Sequence, residues 1–273
     1  MSHSKRDFRA VASDWDGTFV NADRMVTQAT KRAVHSFQAA GGILLICSGR
    51  PVHGIYAAAA RSDFDLSDTI LIGCNGAHVE TGTSETLFEQ SIDPEAVRDV
   101  WRYACRLGLV PIGVNEHGAY TTDPTYPPAK EEIVENAHDY AVVTDITDWD
   151  TTHTHKLLLT KEPYVPQSDV DALRTAFASD IEAALSEPPF LEVTAIGVSK
   201  GATLARIVPQ LGLELTDVIG IGDSYNDLSL VQTAGMGAAI TNAVPELRAA
   251  ADFVAPSNNE DGVAYVIEKF GVR

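Results

Sequence analysis

The chain has 273 residues, 45% hydrophobic and 21% charged, enough for one large domain or for a domain carrying an inserted module. Its 38 acidic residues outnumber 20 Lys and Arg, giving a formal charge of −18, and a field of that sign repels nucleic acid and anionic membrane surfaces. Three cysteines (Cys47, Cys74, Cys105) with no C-x-x-C pair argue against a disulfide framework and against a zinc site.

The longest apolar runs, 43–47 and 69–74, are far too short to span a bilayer. A brief polar start and one strand-like run precede Asp14, so no signal peptide fits and a cytoplasmic protein is expected. With only seven lysines, the composition suits an ordinary acidic cytosolic enzyme, with high-salt adaptation as the alternative. The same field opposes an anionic substrate. Any phosphate site must therefore be made locally positive by a metal, Lys or Arg.

In chain order, 8–13 reads as a first strand ending at Asp14. Helical spacing over 27–40 (Ala29, Ala33, Val34, Phe37) stops at Gly41-Gly42, as helices do. The continuous apolar run 43–47 predicts a strand buried on both faces, Pro51 opens a helix to Arg61, and 69–74 predicts a third strand. That alternation is the pattern of an α/β fold: a Rossmann-like parallel sheet with helices on both faces. The middle changes character. A strand signal at 85–91 and a helix over 94–107, capped by Asp93, precede strand and helix candidates at 109–114, 129–138, 141–146, 153–160 and 167–178. Proline breaks at 124–128 and 187–189 punctuate this α+β stretch. The α/β pattern returns with a helix over 199–211, a strand at 217–221 and a helix over 224–234. Strands at 236–240 and 252–255 then alternate with helices at 243–250 and 262–270. The expected division is a core of 1–88 and 194–273 interrupted by a module of 89–193.

Four short segments carry chemistry. Asp14-Trp15-Asp16-Gly17-Thr18 follows the first strand directly, and ligands of open α/β sheets sit beyond the carboxyl ends of strands. Asp14 is placed to act as a nucleophile and Asp16 as a general acid, with a solvated acidic turn as the bland reading. Gly222-Asp223-Ser224-Tyr225-Asn226-Asp227 ends another apolar strand. A helix starting here would put Asp223 and Asp227 on one face, and with Asp14 they make a hard-oxygen site suited to Mg²⁺. An acidic helix N-terminus is the bland alternative. Ser48-Gly49-Arg50 offers a hydroxyl and backbone amides as a phosphate cradle, and Arg50 is as suited to a structural ion pair as to substrate. Lys200, at a helix start where its charge opposes the helix dipole, supplies the positive charge such a site needs.

Together these segments resemble the haloacid dehalogenase superfamily, most specifically its Cof-like phosphatases with a type IIB (C2B) α+β cap inserted between the second and third motifs. Lys200 lies 152 residues after Ser48, which leaves room for that cap, and 23 before Asp223. The resemblance covers nearly the whole chain. It implies Asp14 as nucleophile and Mg²⁺ ligand, and Asp16 as general acid/base with its carbonyl on the metal. It further implies Ser48, Gly49, Lys200 and Asn226 on the phosphate, and Asp223 and Asp227 as metal ligands or support. Asn75-Gly76-Ala77 also matches a family segment. Two residues depart from the pattern: Trp15 replaces an aliphatic residue and is expected to narrow the site, and Leu230 stands where Met is common.

The implied reaction is Mg²⁺-dependent hydrolysis of a small phosphorylated metabolite, a sugar phosphate foremost, through an aspartyl-phosphate. The rivals are a phosphosugar mutase of the same superfamily and a phosphate- or metal-binding protein without turnover. His153 and His155, placed on a strand, would share a face and could hold a metal, but no further ligand is evident nearby and a partly exposed sheet face is the favoured account. Cap loops with His117-Gly118 or Tyr126-Pro127-Pro128 are expected to meet substrate, whereas Trp101 and Tyr103 are expected to pack. No apolar stripe separable from ordinary core marks a subunit interface.

Overall fold

The computed structural model describes residues 8–115 and 118–272. The chain begins β1 (Ala10–Ser13), α1 (Gln28–Ala39), β2 (Ile43–Cys47), α2 (Val52–Arg61) and β3 (Thr69–Gly73), then turns back through β4 (His78–Thr81) and β5 (Thr86–Glu89). A second module follows: α3 (Pro94–Arg106), β6 (Val110–Asn115), β7 (Gly118–Thr121), α4 (Pro127–Glu135), β8 (Tyr140–Val142), β9 (Lys156–Thr160), α5 (Gln167–Ala176), β10 (Ile181–Glu187) and β11 (Phe190–Ala195). The return to the first sheet runs α6 (Lys200–Ile207), β12 (Val218–Gly222), α7 (Leu228–Thr233), β13 (Met236–Ile240), α8 (Pro245–Ala250), β14 (Phe253–Ala255) and α9 (Gly262–Phe270).

The first sheet has the order β14-β13-β12-β1-β2-β3-β4-β5. It is parallel from β14 to β3 and antiparallel at β4 and β5. Successive strand residues point to opposite faces. Val11, Leu44 and Ile46 accordingly enter one apolar cluster with Phe37 of α1 and Ile55 of α2. Ala10, Ala12, Leu45 and Cys47 enter another with Leu204 and Ile207 of α6. Both faces are covered, which is why these strands read as unbroken apolar runs. Because the strands are parallel, β1, β2, β3 and β12 all end at one edge. Asp14, Ser48, Cys74 and Asp223 are the residues that follow those ends.

The second sheet, β10-β11-β9-β6-β7-β8, is antiparallel except at β7–β8. Its own core stacks Trp101 on Tyr120 at 5.3 Å and sets Tyr103 edge-on to Phe177. Four strands escape the sequence pattern: β4, β7, β10 and β11. Residues 153–155 precede β9 instead of lying in it, and 141–146 yields only the short β8 before a 3-10 turn at Ile146–Asp148. Among the described residues no helix is long and apolar enough to cross a membrane.

Candidate active site

The β1 edge sets the first carboxylate. Asp14 follows Ser13, and its N–H donates to the carbonyl of Ile221 at 2.9 Å, so the main chain fixes it beside β12. The chain then turns sharply at Gly17, whose φ of +74° favours glycine. A Cβ there would lie 2.7 Å from Asp223 Oδ2, so the turn also needs the missing side chain. Thr18 donates to Asp223 Oδ1 at 2.8 Å and ties the two strand-end loops together.

Lys200, fully buried at the first position of α6, donates from Nζ to Asp14 Oδ1 at 2.6 Å and to Asp227 Oδ1 at 2.5 Å. Ser199 caps that helix by accepting from the N–H of Ala202. Asp227 Oδ2 accepts from the N–H groups of Asp223 and Ser224 at 2.9 and 3.0 Å. Both its oxygens are thus engaged in orienting other groups. The expected helix face for Asp223 and Asp227 is not what forms: residues 225–227 make a 3-10 turn, α7 starts at Leu228, and this capped turn brings the pair together.

Asp14, Asp223 and Asp227 can bring one oxygen each within 4.8 Å of the others, a group able to hold a metal ion. Burial, with repulsion from Asp227, pushes Asp14 well above its ordinary value and Asp223 up to about 6. Burial works against the Lys200 ammonium, yet Asp14 and Asp227 outweigh it and raise its pKa. Three carboxylates share one lysine, which leaves an excess of two negative charges. An all-oxygen donor set with that excess fits a hard divalent cation such as Mg²⁺.

Opposite this cluster, buried Ser48 accepts the N–H of Arg50 at 3.1 Å. Arg50 binds Asp16 in a fork, Nε to Oδ2 at 2.6 Å and Nη2 to Oδ1 at 2.8 Å. Its remaining nitrogen, Nη1, donates to the Glu135 carbonyl and to Asn136 Oδ1, so Arg50 joins the first sheet to the end of α4. Asn226 donates to Asn75 Oδ1 at 3.1 Å, and Asn75 donates to Glu192 Oε2 at 2.5 Å.

A second buried network was not singled out from the sequence. Lys156, at the start of β9, donates to the Gly49 carbonyl at 2.8 Å and to Glu132 at 3.3 Å, and lies 3.6 Å from Glu192. Burial opposes the charge on Glu132, but Lys156 and His138 hold its carboxyl down at about 2. At Gly49 a Cβ would sit 2.8 Å from Glu192 Oε1, which explains glycine at this approach of the two sheets. The available signal was a charged residue inside an apolar run: Lys156 heads Lys-Leu-Leu-Leu-Thr, and Glu192 stands in Leu-Glu-Val.

These walls enclose a cleft of about 360 Å³ lined by Asp14, Asp16, Ser48, Gly49, Asp223 and Asn226 from the first sheet and by Glu132, Glu187 and Glu192 from the second module. Lys200 lies behind it, reaching the cleft through Asp14. Trp15 does not narrow this space. It is buried against Phe19 and Phe64, because its side chain points to the core face of the turn while Asp14 and Asp16 face the cleft. Leu230 is likewise core. His153 and His155 do not share a strand face, since β9 starts after them. His153 is exposed and His155 is buried against His78, both facing Glu89. The Tyr126-Pro127-Pro128 turn starts α4, but Tyr126 turns its hydroxyl to the Glu162 N–H and the last turns of α4 meet the cleft instead. His117 lies outside the described residues.

A doubly wound parallel sheet with an inserted α+β module, and with acidic loops gathered around a buried lysine at its strand ends, defines a hydrolase of the strand-end aspartate class. A family model described as haloacid dehalogenase-like hydrolase matches residues 11–267, and the chain belongs to that family. YxeH of Bacillus subtilis, which carries a provisional phosphatase name, is 28% identical over 275 residues, covering 96% of this chain and 98% of its own. The 5-amino-6-(5-phospho-D-ribitylamino)uracil phosphatase YcsE of the same organism is 25% identical, covering 96% and 95%. Among solved structures, a haloacid dehalogenase-like hydrolase from Bacteroides thetaiotaomicron superposes with a TM-score of 0.82 at 26% identity, covering 96% of this chain and 99% of that one. A subclass IIB sugar phosphatase shares the fold with a TM-score of 0.82 at 23% identity, covering 97% and 100%.

Proposed function

We propose that the chain is a Mg²⁺-dependent phosphomonoesterase acting on a small phosphorylated metabolite, a sugar phosphate foremost, with residues 1–88 and 194–273 as catalytic core and 89–193 as cap. The observation that carries this reading is the buried Lys200 bridging Asp14 and Asp227 beside Asp223, at the strand edge that also presents Ser48. The relatives' phosphatase names support it.

In this reading Asp14 attacks phosphorus in line. One P–O bond forms to its carboxylate as the bond to the leaving oxygen breaks, and an aspartyl-phosphate results. Lys200 offsets the negative charge that otherwise opposes this approach, and Ser48 with the amides beside Gly49 holds the phosphoryl oxygens. Asp14, Asp223 and the Asp16 carbonyl, with Asp227 in support, would hold Mg²⁺, which would supply further charge neutralisation when bound. Asp16 gives its proton to the leaving oxygen and later takes one from the water that cleaves the intermediate. Both Asp16 oxygens accept from Arg50 here, so the acid role requires Asp16 to exchange that guanidinium for the leaving group.

The test is phosphate release from p-nitrophenyl phosphate and a sugar-phosphate panel, with Mg²⁺ and with chelator, for wild type and Asp14→Asn. Release that needs both Mg²⁺ and Asp14 is the expected result; equal release by the variant sinks the reading.

A further inference from the structure

The cleft that receives the leaving group is lined by eight carboxylates and three cations. Asp14 and Asp223 face the catalytic centre, which leaves Asp16, Glu131, Glu132, Glu135, Glu187 and Glu192 against Arg24, Arg50 and Lys156. Each of those cations is already taken. Arg50 is forked on Asp16, Lys156 is held by Glu132, Glu192 and the Gly49 carbonyl, and Arg24 pairs with Glu135 and lies 3.8 Å from Glu131. Glu187 is different: among the described residues its carboxylate has neither a hydrogen-bond nor an ion-pair partner. It ends β10 at a bulge between Leu185 and Glu187, and it stands at the cleft's edge. Partial burial and the nearby carboxylates of Glu131 and Asp16 push its carboxyl above the ordinary value, against the opposing charge of Arg24.

We infer that the cleft selects its phosphomonoester by the charge of the leaving group, preferring one that bears a protonated amine and rejecting one with a second anionic group, and that Glu187 is the specificity-determining residue. This rests on the phosphatase reading above. An ammonium group entering the cleft meets the unpaired Glu187 carboxylate and a field of its own complement. Among the described lining residues a carboxylate or second phosphate finds no unpaired cation: it must displace a carboxylate from Arg24 or Lys156, or compete with Glu135 for Arg50 once Asp16 has turned to the leaving group. Two of those, Arg50 and Lys156, are buried, where an abandoned charge is costly to leave unpaired. A neutral polyol falls between the two, since carboxylates accept hydrogen bonds from its hydroxyls without gaining a charge partner.

The experiment compares glucosamine 6-phosphate, glucose 6-phosphate and 6-phosphogluconate at pH 7 and one fixed salt concentration, with p-nitrophenyl phosphate as the reporter of turnover. The readout is kcat/KM for each sugar, or its inhibition constant against the reporter where its own turnover is slow. The expected order is amine, then neutral, then acid, each step about tenfold, as one screened charge contact in a half-open site gives. Glu187→Gln should shrink the first step, and Glu187→Lys should move the amine-to-acid ratio about a hundredfold toward the acid. A flat or reversed order with active reporter hydrolysis overturns the inference and leaves the phosphatase reading standing. Ratios unmoved by Glu187→Lys remove Glu187 from it. Absence of reporter hydrolysis with Mg²⁺ is instead the failure of the phosphatase reading itself.

Discussion

On the core wall of the cleft, Asp14 and Asp227 lie in loops that follow strands of a single sheet, and main-chain N–H bonds and Lys200 at the start of α6 hold them. On the module wall, Lys156, Glu132 and Glu192 come from β9, α4 and β11: the β9–β11 ladder sets Lys156 and Glu192 diagonally on one face, and α4 brings Glu132 to them. Three carboxylates around one ammonium leave the core wall an excess of two negative charges, which a divalent cation can balance. In the module wall two carboxylates face one ammonium, and Asn75 and the Gly49 carbonyl complete that network and leave it closed. One wall is poised for chemistry and the other for holding the two sheets against each other.

The largest effect that separates the walls is catalytic. Asp14→Asn should cost about 10⁴-fold or more in kcat while leaving thermal unfolding nearly unchanged, since the amide keeps the shape and can still accept from Lys200. Retained turnover would place the nucleophile elsewhere. On the module wall the expected loss is of stability. Lys156→Met strands two buried carboxylates and should destabilise by about 3–5 kcal/mol, read from urea unfolding. Adding Glu132→Gln and Glu192→Gln to Lys156→Met should recover most of that loss, because the uncompensated charges are then gone. If the triple variant is no more stable than the single one, the network does not act through its charges.

The two walls also differ in how much of them can be read along the chain. The core motifs are local: Asp14 and Asp16, Ser48 to Arg50, and Asp223 to Asp227 each occupy a few residues after an apolar run, and parallel pairing brings those run ends to one edge. What local spacing could not show was that Asp223 and Asp227 meet across a capped turn, or that Trp15 faces inward. The module wall depends on β10 and β11, whose segment is broken by Glu182, Glu187 and two prolines. Those prolines are the hairpin turn between the strands, and β10, an edge strand, is only half buried and lacks a clean apolar run. Glu192 and Lys156 therefore read as ordinary charges until tertiary packing buries them.

Arg50 connects the walls, and a smaller effect tests that connection. Arg50→Lys keeps the charge but cannot span both oxygens of Asp16 and the α4 terminus at once. The loss of charge-assisted bonds predicts a fall in kcat/KM of about 10–100-fold, with unfolding affected less than in Lys156→Met. Activity equal to wild type would mean that Asp16 needs no guanidinium to be placed.

The smallest effect is a pH dependence where the module meets the core. His53 on α2 meets His138 with Nε2 3.0 Å from Nδ1, and burial together with His138 lowers the His53 pKa from 6.5 to about 4. A depressed value means that the unfolded chain binds the proton more readily. The stabilisation is therefore full above about pH 6.5 and declines as pH falls toward 4. Glu132 has the same sign in a lower window: its contribution is full above about 4.5 and declines as pH falls to about 2. Urea midpoints measured at pH 7, 5 and 3.5 should fall in two stages. His53→Gln should flatten the first stage and leave the second, and Glu132→Gln should flatten only the second. If His53→Gln leaves the slope between pH 7 and 5 untouched, the imidazole pair between the walls is not what acid disturbs.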